Sequence, residues 1–503
     1  MENSKKNVLV VYSTADPRRE IKNVNAILPA SVLYVATPAS KEYNVKILDT
    51  RLDLNWRNTI TGLAKEGIYA AGLSCMTGYQ IQSASEVARH IRSINPSLPI
   101  IWGGVHPSLV PQQTLKNGLV DFVVIGLGEE TFLELLNNLD KPDNYPDIKG
   151  IGFKRNGTII VNPEREFFDL NKYPIPNYSL INVNDYLIDG NIPIFTSRGC
   201  PHRCSFCYNL AFNHKKYAAI KTEHVINHIE YLLKNYPGIT AISFVDDNFF
   251  VNKKRVTEIC NKLIEKGIFL KLNSGCRADY LDNFSLDFLK LLRKTGFTET
   301  YVGVESGSEK ILDDIHKDIS VEQVLRINKK LKEAGIIPRF GFMGGFPGET
   351  IEDVKKTLRL MVNILEDNPN AYVTQLMLAT LSPGTELFES AKKFGFVPPP
   401  VLEQYFVFNY EAWDESPYPW IKDEYKKFVK EMAYMVTWID AKGFSGKNPL
   451  HKLINRILGR IVRKLIKNNN YPLLILLSRF IKTVGGNKLI KGFLKKILKF
   501  HIS

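Results

Sequence analysis

The run Val8-Leu9-Val10-Val11-Tyr12 is apolar at consecutive positions, which predicts a strand buried on both faces. Similar runs follow at Val45–Leu48, Tyr69–Ser74, Ile100–Gly103 and Asp121–Ile125. Helical spacing fills the intervals, notably Gln82–Ile94 and Glu129–Leu136. Buried strands alternating with helices predict a doubly wound parallel sheet, whose ligands lie beyond the carboxyl ends of its strands.

Asn156-Gly157, between two strand-like runs, predicts a hairpin. From Ile194 the alternation resumes. Strands are expected at Ile194–Ser197, Thr240–Val245, Phe269–Asn273, Thr300–Val304, Arg339–Met343 and Ala371–Met377, with a helix after each. That makes six βα units, and polar residues collect at their strand ends, as in barrels. Between Phe396 and Trp420 the chain turns proline- and aromatic-rich, fitting either a lid over an apolar substrate or packing across the barrel mouth. Beyond it, Leu450, Leu453, Ile454, Ile457, Leu458, Ile461, Val462, Leu465 and Ile466 recur at three- and four-residue steps. A second stripe runs through Leu489, Ile490, Phe493, Leu494, Ile497 and Leu498.

Charge changes the reading of that tail. The net charge of +14 has one source: residues 441–503 hold 15 of the 66 Lys/Arg and no Asp/Glu, leaving 51 basic against 52 acidic residues in the rest. Basic amphipathic helices are drawn to anionic headgroups, so membrane-surface contact is expected, ahead of a helical cap docked on the barrel. Nucleic acid is not expected, because apolar stripes have no use there. Met1–Asn7 is short and polar, so no signal peptide is expected, and Pro472–Leu477 is too short to span a bilayer. Six cysteines, three of them crowded, fit a reducing compartment. The expected location is cytoplasmic, peripheral on the inner face of the membrane.

The crowded cysteines lie in Gly199-Cys200-Pro201-His202-Arg203-Cys204-Ser205-Phe206-Cys207, spaced Cys-x3-Cys-x2-Cys. Thiolates select zinc or iron–sulfur clusters. Zinc wants four ligands, normally as two separated pairs. Here the fourth could only be His202, or the distant Cys260 or Cys276. Three close thiolates better suit a cubane [4Fe–4S] cluster with one iron left open.

With Phe206 before the last cysteine, this loop resembles that of the radical S-adenosylmethionine (radical SAM) enzymes. The resemblance implies a partial (β/α)6 TIM barrel in which Cys200, Cys204 and Cys207 hold the cluster. The open iron chelates SAM, and an electron from the cluster cleaves it to give methionine and an adenosyl radical. SAM contacts are expected from Asp246, Asp247 and Asn248 after the second strand, with the methionine amino group assigned to Asp247 or Asn248, and from Arg277 after the third. Glu305 and Ser306 in Gly303-Val304-Glu305-Ser306-Gly307-Ser308 resemble the ribose segment, and Gly344 and Gly345 the turn beside the adenine.

The loops of the first domain, Ser74-Cys75-Met76-Thr77-Gly78, Gly103-Gly104-Val105-His106-Pro107 and Gly126-Leu127-Gly128-Glu129-Glu130-Thr131, are similar as a set to the cobalamin-binding domain of cobalamin-dependent radical SAM enzymes. Ser74, Thr77, Gly103, Gly104, His106, Gly126, Gly128, Glu129 and Thr131 are the implied cobalamin contacts. No Asp-x-His-x-x-Gly motif is present, so base-off cobalamin is implied, with His106 more a structural or tail-contacting residue than a cobalt ligand.

The expected divisions are a Rossmann-like cobalamin domain over 1–140, a linker with the hairpin over 141–190, the barrel over 191–396, a lid-like region over 397–445 and a helical tail over 446–503. The expected reaction is cobalamin-dependent methylation of an unactivated carbon of a small-molecule or lipid substrate. Radical cyclisation or carbon–carbon bond formation is the alternative, and a non-catalytic cobalamin module with a structural cluster the alternative of another class. A reductase, ferredoxin or flavodoxin would supply the electron.

Overall fold

The computed structural model describes residues 5–14, 26–166, 169–409, 413–414, 416–439 and 449–485. Five parallel strands, β1 (Asn7–Tyr12), β2 (Asn44–Asp49), β3 (Ile68–Ser74), β4 (Ile100–Gly103) and β5 (Phe122–Val124), form the first sheet in the order β2-β1-β3-β4-β5. Their apolar runs are buried as the pattern predicts: Val8, Leu9, Val10 and Val11 are all at most 3% exposed. The hairpin expected within a linker instead continues this sheet. Strands β6 (Ile151–Arg155) and β7 (Thr158–Val161) add antiparallel to β5, with Asn156 and Gly157 at positive φ in the turn. A two-residue turn cannot reverse the chain into open solvent without a partner edge, and the exposed edge of β5 supplies one.

The second sheet is six-stranded and parallel throughout: β8 (Asn191–Ile194), β11 (Ala241–Phe244), β12 (Lys271–Gly275), β13 (Phe297–Glu305), β14 (Ile337–Gly344) and β15 (Tyr372–Leu378) follow one another across it. The expected strand Ile194–Ser197 is broken. The chain leaves the sheet after Ile194, and Ser197–Gly199 (β9) pairs antiparallel with Tyr217–Ala219 (β10). The cause is Asp246, just past β11. Its carboxylate accepts the Thr196 N–H (2.6 Å), the Thr196 hydroxyl (2.6 Å) and the Ser197 hydroxyl (2.7 Å), turning the chain away.

The proline- and aromatic-rich segment is a strap rather than an open lid. Tyr405, Phe408, Trp413 and Tyr418 are buried. At one end Gln113 Nε2 donates to the Pro399 carbonyl (2.8 Å), Asn117 Nδ2 to Glu403 (2.6 Å), and Tyr405 stacks edge-on against His106 (4.9 Å). At the other, Trp413 Nε1 donates to the Leu376 carbonyl (3.2 Å) and Trp420 Nε1 to that of Gly345 (2.8 Å). The segment therefore binds the first sheet's helices to the ends of β14 and β15.

The first stripe of the tail is partly docked, as the alternative of a helical cap expects, rather than wholly free to face lipid. The helices Pro449–Lys467 and Tyr471–Gly485 pack on Asp423–Ile439, and the former also on Ile351–Asp367. Val462, Ile466 and Leu474 are fully buried there, and Lys467 pairs with Glu366 (2.6 Å) and Lys482 with Glu431 (2.7 Å). Ile457, Ile461, Leu473, Leu476 and Phe480 remain exposed. The second stripe, Leu489–Leu498, lies outside the described residues. Among the described residues no helix is long and apolar enough to cross a membrane. Because Ile466 is a core residue here, Ile466→Ala is expected to cost about 2–5 kcal/mol, read from the urea midpoint.

Candidate active site

The cysteine loop runs from β9 to the short helix Tyr208–Asn213 and is held from four sides. The Gly199 N–H donates to Asp247 Oδ2 (2.7 Å), the Ser205 N–H to the Ile315 carbonyl (3.0 Å), and the Leu387 N–H to the Ser205 carbonyl (2.9 Å). Arg277 reaches in with Nη1 donating to Cys204 Sγ (3.1 Å), while its Nε pairs with Asp279 (2.9 Å).

Burial pushes the Cys207 thiol up to about 12 and raises Cys200 as well. Buried thiols become thiolates when a cationic metal pays their charge. Among the described residues no three His, Cys, Asp or Glu converge on one point as ligands of a single ion. A cubane asks for something else, since its three cysteines sit on three different irons and stand further apart. Three thiols on one short loop, without convergence on a single point, fit that donor set.

The three residues after β11 separate by role. Asp246 is consumed by the β8–β9 corner, and Asp247 holds the loop. Asn248 places Nδ2 3.8 Å from Cys200 Sγ, and its Oδ1 is buried with no protein partner. Such an acceptor beside the loop suits a ligand ammonium. Glu305 sits at φ +72°, buried, with Oε1 accepting from Lys317 Nζ (2.7 Å). Ser306 is spent internally, its hydroxyl 3.3 Å from that of Thr357. Gly345, at φ +83°, donates its N–H to Glu349 (2.5 Å), and a Cβ there would lie 2.7 Å from Leu378. Gly344 lies against Trp413 and Tyr425. Both glycines thus seat the strap.

A cleft of about 1050 Å³, open mouth included, lies where the carboxyl ends of the first sheet face the cysteine loop. Ser74, Gly103, Gly104, Gly126, Gly128 and Glu129 line it from the first sheet, with Val35 and Phe132. Gly104 is obligatory: at φ +98° its Cβ would lie 2.8 Å from the Cys75 carbonyl oxygen. From the other side come Phe195, Arg198, Tyr208, Phe212 and Asp247. A broad, mostly apolar slot with glycine walls fits a large planar macrocycle such as a corrin.

Thr77, His106 and Thr131 fall outside the lining. His106 is fully buried beneath Tyr405 with Nδ1 2.9 Å from the Thr77 hydroxyl, and burial lowers it to about 3, so it is neutral. Thr131 receives Arg165 (3.0 Å). The other ring nitrogen of His106, Nε2, is buried without a protein partner. Sequence reading missed Arg198, Tyr208 and Lys317. Arg198 pairs with Glu129 of the first domain (3.6 Å) and lies 3.6 Å over the Phe195 ring. The signal was position alone: Arg198 and Tyr208 flank the cysteine loop.

Burial pushes the Glu349 carboxyl up to about 7, against hydrogen bonds from Tyr425 and the Gly345 and Phe346 N–H groups that pull it down. Raised in the folded state above an unfolded value of about 4.3, it stabilises fully below that pH and loses its contribution as pH rises through 7. Glu349→Gln is therefore expected to gain stability relative to the unaltered protein between pH 5 and 8, read from urea midpoints.

The comparisons agree with this geometry. The Radical SAM superfamily matches residues 194–361, and the B12 binding domain family residues 24–136. An uncharacterized methyltransferase of Pyrococcus horikoshii is 31% identical over 72% of this chain and 78% of its own length. The anaerobic magnesium-protoporphyrin IX monomethyl ester cyclase of Rubrivivax gelatinosus is 28% identical over 56% of this chain, which spans only 52% of that protein. The fold is that of the radical S-adenosylmethionine methyltransferase TsrM from Kitasatospora setae, solved with cobalamin and a [4Fe–4S] cluster, at TM-score 0.67 and 16% identity over 92% of this chain and 99% of that one. The chain belongs to the cobalamin-dependent radical SAM methyltransferase family, whose cofactors are a [4Fe–4S] cluster, SAM and cobalamin.

Proposed function

We propose that this enzyme methylates an unactivated carbon of an apolar, lipid-like substrate at the face of a membrane. The observation that carries the methylation is Asp247, which walls the cleft with one side and holds Gly199 of the cysteine loop with the other. When bound, the cluster with SAM supplies a hydrogen-abstracting radical and cobalamin supplies the methyl group. In this reading the three groups share the mostly apolar space between the first sheet and the cysteine loop. Cys200, Cys204 and Cys207 hold the cluster, Asn248 and Glu305 face SAM, and Arg277, spent on Cys204, Asp279 and the Lys317 carbonyl, braces the loop rather than the SAM carboxylate. Ser74, Gly103, Gly104, Gly126, Gly128 and Glu129 seat the corrin, and Arg198, Phe195 and Tyr208 close it from the barrel side. A reductase, ferredoxin or flavodoxin supplies the electron. Methyl transfer is preferred to cyclisation because the methyltransferase relative is spanned over 78% of its length and the cyclase over half.

The lipid reading rests on the tail. Ile457 and Ile461 on one helix, and Leu473, Leu476 and Phe480 on the next, are exposed at helical spacing. Arg456, Arg460 and Lys464 follow the same face of the first helix, exposed and forming no ion pair among the described residues. Apolar rows flanked by uncommitted cations match an anionic headgroup surface.

Anaerobically reconstituted protein given SAM with a deuterated methyl group and lipid extract is expected to yield a product carrying that methyl intact, by mass spectrometry, and Cys204→Ala to yield none. SAM cleavage without label transfer would favour cyclisation instead. The protein is also expected to sediment with vesicles of anionic lipid and to be released only in part by high salt, which screens the arginines and leaves the apolar contacts. Leu476→Asp with Phe480→Asp should lower that binding at least tenfold, and unchanged sedimentation would end the membrane reading.

A further inference from the structure

The turn Ile315–Asp318 joins the helices Glu309–Asp314 and Val321–Ala334, and it is strained on both sides of one lysine. His316 (φ +51°) and Asp318 (φ +54°) both adopt the left-handed conformation that residues other than glycine rarely hold. Lys317, between them, is 6% exposed, and its ammonium donates to Glu305, itself left-handed at φ +72°. Three strained residues thus converge on one buried ion pair. A buried ion pair is seldom worth more to stability than an apolar pair of the same volume, so packing alone does not account for it.

The turn is fastened to the cysteine loop at Ile315, Lys317 and Asp318. Ser205 donates to the Ile315 carbonyl (3.0 Å), and Arg203 grips Asp318 with two bonds (3.1 and 2.9 Å). Arg277 spans the gap, one nitrogen on Cys204 Sγ (3.1 Å) and another on the Lys317 carbonyl (2.7 Å). The ammonium lies 5.6 Å from the centre of the ring of Phe206, two residues past Cys204. The lysine therefore stands between the loop and the carboxylate.

We infer that Lys317 is a positioning residue with two duties: it fixes the carboxylate of Glu305 where the SAM ribose is received, and it holds a permanent positive charge beside the Cys204 corner of the cluster. The inference rests on reading Cys200, Cys204 and Cys207 as cluster ligands. Reduction adds one negative charge to the cluster, and a buried cation in low dielectric favours that charge. The Glu305 carboxylate opposes it from behind. Removing either partner therefore moves the ease of reduction in opposite directions.

The test is an anaerobic redox titration of reconstituted protein followed by electron paramagnetic resonance, with iron content measured first. An unaltered protein that fails to take up iron overturns the cluster reading, and this proposal with it. With the cluster present, Lys317→Met is expected to lower the reduced fraction at fixed potential about tenfold, a fall of about 59 mV for one electron. Glu305→Gln, which leaves the lysine uncompensated, is expected to raise it. Lys317→Arg keeps the charge and is expected to stay near the unaltered value. A merely structural pair would lower the melting temperature in both single variants and leave the potential where it was. Shifts of the same sign, or none, overturn the proposal. Should Lys317→Met lose its cluster, the Glu305→Gln titration decides alone, and the absence of a rise overturns it.

Discussion

Two adjacent carboxylates at the end of β11 govern the geometry of the site. Asp246 bends the chain out of the sheet after β8, and Asp247 catches the next segment at Gly199. Without the first, the Ile194–Ser197 run would continue as strand and carry the cysteines past the barrel mouth. Without the second, the loop would lose its register against the sheet. Burial raises Asp247 despite the Gly199 N–H bond and the nearby Arg198 that pull it down. The Gly199 N–H of the loop donates to it in turn, so loop and carboxylate specify each other.

From that anchor the two domains meet over one cleft. Arg198 belongs to β9 yet pairs with Glu129 at the start of the helix after β5, so the cysteine loop and the cobalamin domain share a charge pair. The strap from Phe396 to Trp420 repeats the connection on the other side through Tyr405 and His106. The first is an ion pair of 3.6 Å and the second an edge-on contact between two buried rings. Together they tie the first-sheet wall of the cleft to the cysteine loop and to the strap. The left-handed residues around Lys317 show the same economy of placement: backbone strain is accepted where it sets a charge.

The basic tail divides its residues between these tasks and another surface. Lys467, Lys482 and Arg463 are tied to Glu366, Glu431 and the Ile439 carbonyl, and their helices dock through Val462, Ile466 and Leu474. Arg456, Arg460 and Lys464 have no such partners among the described residues, and the apolar side chains beside them stay in solvent. One helix thus serves as a cap on one face and as an unpartnered basic face on the other. Its amphipathic pattern reads the same in either case.

Local signals determined the alternation of strands and helices, the two-domain order and the cysteine loop. Each depends on spacing within a few residues: continuous apolar runs for strands buried on both faces, and Cys-x3-Cys-x2-Cys for a cubane rather than a single ion. The carboxyl ends that line the cleft, at Gly103, Gly104 and Gly126, were legible for the same reason. Long-range partners decided the rest. Asp246, Asp247 and Asn248 are three adjacent polar residues in sequence, and only the corner at Thr196 and the loop at Gly199 give each a different task. His106 read as a residue facing a ligand, until the Tyr405 ring, some three hundred positions away, covered it. Lys317 carried no motif, because its partners are Glu305 and, through Arg277, the cysteine loop, which no local pattern joins to it. Periodicity reveals which face is apolar, and only the fold reveals what meets it.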